Sequence, residues 1–202
     1  LAERNKTMNK GRVESFTDAI VAIILTIMVL EIKVPGGYQW SDLLDNLSAF
    51  IAYTISFFFI LVAWYNHHYM FSLTRVISKK IFWANNIWLF VMSFYPVSTA
   101  WLGKYIDRLP PAFFYYFVFL FWTFAYQWLS YEIKSARENK EIKTKIEHMS
   151  IYQFTKNPIF YFSGFVIAIL IFYFPPFVLI TSVVELVSML IFTNEDSDRL
   201  FS

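Results

Sequence analysis

Cysteine is absent from this chain of 202 residues, which excludes disulfides, thiolate metal sites and cysteine nucleophiles. Glycine is scarce, at 5 residues, so phosphate-cradling loops have little material. Gly-x-Ser-x-Gly and His-Glu-x-x-His do not occur, and with them go the usual hydrolase signatures. Charge is also low. Only 16% of residues are Asp, Glu, Lys or Arg, where a soluble domain carries roughly 25%. No cleavable signal peptide is evident: Leu1 to Gly11 is polar, and the run after it is too long and lacks a small-residue cleavage site.

What remains is apolar. Hydrophobic residues make up 57% and aromatic residues 22%, with a mean hydropathy of +0.47. The charges are gathered into short segments that leave long uncharged runs between them, the pattern of an integral membrane protein with several spans. The expectation is one all-α membrane domain over residues 1–202, with six transmembrane helices. Their expected limits are about Ser15 to Lys33, Leu47 to Tyr65, Ile81 to Leu102, Ala112 to Tyr131, Pro158 to Phe174 and Phe177 to Phe192. Pro35-Gly36-Gly37 ends the first. Asp42 and Asp45 suit the N-terminus of the second through the helix dipole. Pro96 should kink the third, and Pro175-Pro176 separates the fifth from the sixth.

Lysine and arginine then set the orientation. With the N-terminus in the cytoplasm, 14 of the 17 basic residues fall inside, leaving Lys33, Lys104 and Arg108 outside. That bias predicts both termini in the cytoplasm. Between spans four and five, Glu138 with Lys134 and Glu141 with Lys145 are four apart, the spacing of a solvated helical extension.

The first hydrophobic run carries the most information. Arg12, Glu14 and Asp18 open it, and charges at a membrane boundary are costly to desolvate, so they are expected to have a use. At about 100° per residue, Phe16, Ile23, Ile27, Leu30 and Val34 share one narrow sector, with Thr26 on its flank. Asp18 points the opposite way with Glu14 and Leu25, which is expected to carry its carboxylate into the protein. A greasy, branched face of this kind suits the wall of a pore. Asp18 needs a donor, and Trp64 or His67, at the same end of the second span, can supply one. A structural role for that network, holding the first helix in register, is preferred to proton transfer.

Other polar groups admit plainer readings. His67 and His68 are adjacent and share no helix face, so no metal site is expected. Glu185, alone in the sixth span, could act as a coupling-ion carboxylate, although pairing with a neighbouring Asn or Tyr is preferred. Glu31 and the Asp42/Asp45 pair face outside, where acids would concentrate cations. The Thr-Val-Gly-Tyr-Gly filter of ordinary potassium channels is missing; Val34-Pro-Gly-Gly-Tyr38 echoes it only in the wrong order. A lipid-acting enzyme would need acids, histidines or serines clustered at one interface, and only His67-His68 approach that. The residues by themselves leave pore and carrier open.

Arg12-x-x-x-Phe16-Thr17-Asp18 resembles the Arg-x-x-x-Phe-Ser-Asp signature of the transmembrane protein 175 family of potassium channels, with threonine in place of serine. Trp64-x-x-His67 is similar to a second family pattern, and the likeness in span number and length resembles the prokaryotic form with one six-span unit per chain. The resemblance implies a potassium-selective homotetramer in a prokaryotic cell membrane, its first helices lining a central pore. It implies apolar constriction rings at Ile23, Ile27 and Leu30, and a hydroxyl layer at Thr26. Potassium would be the permeant ion, with no cofactor, no resident metal, no enzymatic activity and no nucleic-acid partner. Its partners would be further copies of itself, lipid and monovalent cations. The competing reading is a proton- or cation-coupled secondary transporter. Against it, no pair of glycine-interrupted spans marks a broken-helix site.

Overall fold

The computed structural model describes residues 8–74, 76–136, 143–144, 146–147 and 158–191. Its elements are helical: α1 (Lys10–Leu30), the short α2 (Trp40–Leu44), α3 (Leu47–Ser72), α4 (Lys79–Met92), α5 (Tyr95–Lys104), α6 (Leu109–Ser135), α7 (Pro158–Tyr173) and α8 (Phe177–Ile191). Among the described residues α1, α3 and α6 are long and apolar enough to cross a membrane, while α7 and α8 are apolar but shorter.

Local chemistry sets most boundaries. Asn9 caps α1, its side-chain oxygen accepting from the Arg12 amide at 3.4 Å. Ser78 does the same for α4 through the Ile81 amide at 3.2 Å. α7 stops at Tyr173 and α8 resumes at Phe177, so Pro175-Pro176 makes the expected turn. α3 and α6 run further at their C-terminal ends than expected, to Ser72 and Ser135.

Two sequence-based expectations change, and two others fall outside the described residues. The helix expected over 81–102 is two helices, because Pro96 has no amide for the Met92 carbonyl and lies in the first turn of α5. Asp42 serves α2 rather than the second span, accepting from the Gln39 amide at 2.8 Å in a reciprocal cap. The spaced pairs Glu138–Lys134 and Glu141–Lys145 involve positions outside the described residues; Lys134, which is described, forms an ion pair with Glu147. The last residue of the sixth expected span, Phe192, also lies outside them.

The core is aromatic. α4 lies along α6 and α3 along α5, and α1 rests on α3, α4 and α5. Trp88, Trp122, Tyr126, Phe59 and Tyr95 are wholly buried between these helices. Phe59 meets Trp122 edge to face at 5.0 Å, and Trp122 stacks on Tyr126 at 5.7 Å. α3 and α5 come close at Gly103, where a Cβ would stand 2.7 Å from the Ala49 Cα. The Ser48 hydroxyl donates to the Gly103 carbonyl there, at 2.7 Å.

Candidate functional site

α1 divides into three faces. Val13, Thr17, Val21, Ile24 and Met28 are buried against the rest of the subunit. Phe16, Ile23, Ile27 and Leu30 stay exposed, with 55% of Ile23 and 78% of Leu30 accessible. Between them runs a third face containing Asp18, Ala22 and Thr26, also exposed. The side turned into the protein is therefore that of Thr17, one residue away from the expected Asp18 face. The reason is packing: α3, α4 and α5 all approach α1 from the Thr17 side, and apolar burial outweighs the wish of a carboxylate for partners.

Asp18 is partnered nonetheless, since Trp64 Nε1 donates to its Oδ1 at 2.8 Å. His67 takes a different route. Its Nε2 lies 2.8 Å from Asn85 Oδ1, Asn85 Nδ2 donates to Thr17 Oγ1 at 2.8 Å, and Thr17 Oγ1 donates to the Val13 carbonyl at 2.9 Å. Because Thr17 already gives its proton to Val13, the Asn85 amide must turn its NH2 toward Thr17. Its oxygen then faces His67, which makes His67 Nε2 the protonated nitrogen. His67, Asn85 and Thr17 are all buried. The imidazole is clamped between Trp88, at 4.6 Å and nearly parallel, and Phe71, at 4.2 Å.

Asn85 is thus the link that ties the α1 threonine to α3 through α4. Its signal in the sequence is that an amide inside an apolar run needs partners, although which partners cannot be read from spacing. Arg12 and Phe16 remain on the exposed side of α1, with no acid paired to Arg12 among the described residues.

Thr26 Oγ1 bonds back to its own helix, to the Ala22 carbonyl at 3.0 Å and the Ile23 carbonyl at 2.9 Å. Its single proton is occupied there, so the oxygen presents lone pairs outward. At the far end of α1, a cavity of about 540 Å³ is lined by Glu31 and Asp45 together with Lys33 and Lys104. Two acids and two bases therefore share that cavity.

Comparison with known proteins now bears on this site. The family model "Endosomal/lysosomal potassium channel TMEM175" matches residues 12–96, the stretch holding α1, the Trp64–His67 end of α3 and Asn85. The chain is also similar over its length to the crystal structure of a lysosomal potassium-selective channel TMEM175 homolog from Chamaesiphon minutus. That match has a TM-score of 0.75 at 28% identity and covers 92% of this chain and 98% of that one. The chain is thus similar to the TMEM175 family over residues 12–96. It is also similar to a potassium channel of Chryseobacterium, 46% identical over 96 residues, and to one of Chamaesiphon minutus, 37% identical over 112 residues. These matches cover 48% and 52% of this chain, and 50% and 55% of the relatives. In sequence, then, the chain spans about half the length of the curated relatives it matches.

Proposed function

We propose that this chain is the subunit of a potassium-selective cation channel that lacks a Thr-Val-Gly-Tyr-Gly filter. Four copies surround a central pore lined by α1, each subunit crosses the membrane six times, and both termini face the cytoplasm of a prokaryotic cell. The observation that carries this reading is the exposed branched face of α1, formed by Ile23, Ile27 and Leu30 on a helix whose Thr17 side is fixed to the subunit. A helix anchored so firmly on one side while leaving such a face uncovered suits assembly around a shared axis.

The mechanism follows from wetting. A ring of apolar side chains narrower than a hydrated ion empties of water and blocks conduction without a charged plug. Tilting or rotating the four α1 helices widens the ring and lets water return. Potassium sheds its hydration shell more easily than sodium, and the outward lone pairs of Thr26 replace part of what is lost. The hydrogen-bonded chain from His67 to Thr17 holds α1 in register so that the rings from four copies align.

The deciding experiment is a reversal-potential measurement on purified protein in liposomes under opposed potassium and sodium gradients. The expected potential lies near the potassium equilibrium value. Flux that saturates and follows a proton gradient would replace the channel by a secondary transporter.

A further inference from the structure

The cavity at the C-terminal end of α1 belongs neither to the His67–Thr17 network nor to the exposed face of Ile23, Ile27 and Leu30. It lies where the end of α1, the start of α3 and the end of α5 converge. Its volume, about 540 Å³, is that of an ordinary small-ligand pocket. Met28, Ala49, Tyr53, Val97 and Trp101 supply apolar walls, and Glu31, Lys33, Asp45 and Lys104 bring charges of both signs.

None of these four charges forms an ion pair among the described residues. Lys104 Nζ lies over the Tyr105 ring, 4.9 Å from its centre. Two hydroxyls of the lining are already committed, Ser48 to the Gly103 carbonyl and Thr99 to Ser56. Helix dipoles account for Asp45, just before α3, and for Lys104, which closes α5. They do not account for Glu31. It stands at the C-cap of α1, where the helix end is itself negative and a carboxylate is unfavourable. A ligand bearing both signs satisfies all four groups at once.

The cavity also adjoins a lipid-like surface. Val97 and Trp101 are exposed, and they continue an exposed apolar stripe through Phe94, Phe90, Ile87 and Trp83. Members of this stripe are three or four residues apart, the spacing of a helix face. From Trp101 to Phe90 is about 16 Å along the helices, one leaflet of a hydrocarbon core about 30 Å thick. Tyr38, Trp40 and Tyr105, at the cavity's end of the subunit, are exposed as well. Such aromatic residues mark the level of the headgroups.

We propose that this cavity seats the headgroup of a phospholipid bearing a primary ammonium, a phosphatidylethanolamine, with an acyl chain along Val97, Phe94 and Phe90. Lys33 and Lys104 take the phosphodiester, while Glu31 and Asp45 accept hydrogen bonds from the ammonium. A choline headgroup has no N–H to give those acids. An anionic glycerol headgroup faces two carboxylates with nothing to offer them. The site needs only that the helices stand in a bilayer, so it holds whether or not α1 lines a pore.

The test is native mass spectrometry of the full chain in detergent, titrated with phosphatidylethanolamine, phosphatidylcholine and phosphatidylglycerol of matched acyl chains. Ethanolamine adducts are expected to exceed the other two severalfold. In E31Q/D45N, ethanolamine binding falls to the choline level and glycerol binding rises. In K33Q/K104Q all three fall severalfold. Glycerophosphoethanolamine, the same headgroup without acyl chains, is expected not to compete at equal concentration. Choline bound as well as ethanolamine, glycerol preferred, adducts indifferent to both double variants, or full competition by the chainless headgroup would each overturn the proposal. The comparison of lipids on the unaltered chain decides it even where a variant folds poorly. No current is measured, so this outcome stands apart from that of the channel reading.

Discussion

At the scale of single residues, Thr17 has the heaviest duty. It accepts from Asn85 and donates to Val13, at a position with no solvent to replace either partner. Thr17→Val keeps the shape and removes the hydroxyl, leaving the Asn85 amide unsatisfied in the core, at about 1–3 kcal/mol. We expect this to appear as a lower midpoint in thermal unfolding in detergent followed by tryptophan fluorescence, with Thr17→Ser restoring most of the loss. A midpoint unchanged in Thr17→Val would remove the anchoring role. Trp64 as donor to Asp18 was legible in the sequence, because both fall at the same end of adjacent spans. The partner of His67 was not. Asn85 reaches it from a third helix, and Thr17 is 68 residues away from Asn85 along the chain.

Among the elements, the α3–α5 contact shows what helix packing adds. α5 can lie against the start of α3 because Gly103 has no side chain where Ala49 approaches. Gly103→Ala places a methyl against backbone, which cannot move aside as a side-chain tip can, and overpacking of that kind costs about 1–3 kcal/mol. The expected result is a lower unfolding midpoint and loss of the Ser48 bond to the Gly103 carbonyl, and Ala49→Gly in the same chain recovers little, because the clash is with the Ala49 Cα. Pro96 announced a disturbance in its span, and the structure makes it a full break between α4 and α5. That break lets α4 follow α6 while α5 follows α3.

For the whole molecule, the channel reading makes the exposed face of α1 the seam and the gate of an assembly. Ile23→Ala and Leu30→Ala each shave a ring without touching the buried Thr17 side. Both are expected to raise leak current in planar bilayers severalfold and to weaken selectivity for potassium over sodium, because a wider collar stays wet and asks less dehydration of the ion. Currents and permeability ratios equal to those of the unaltered protein would take those residues out of the pore.

The sequence by itself determined the class of the protein. Segregated charge, long apolar runs and prolines at 96 and 175–176 are local signals, and local signals set where helices start and stop. It also put Phe16, Ile23, Ile27 and Leu30 on one side of α1, since helical periodicity is a property of the chain alone. Only the tertiary structure decided which of the remaining sides of α1 is buried, that Asn85 completes the link between Thr17 and His67, and that Tyr115 and Thr99 meet at Ser56 inside the subunit. Those facts depend on which helices come to lie together. That is fixed by the summed packing of α3, α4, α5, α6 and α8, and no single segment contains it.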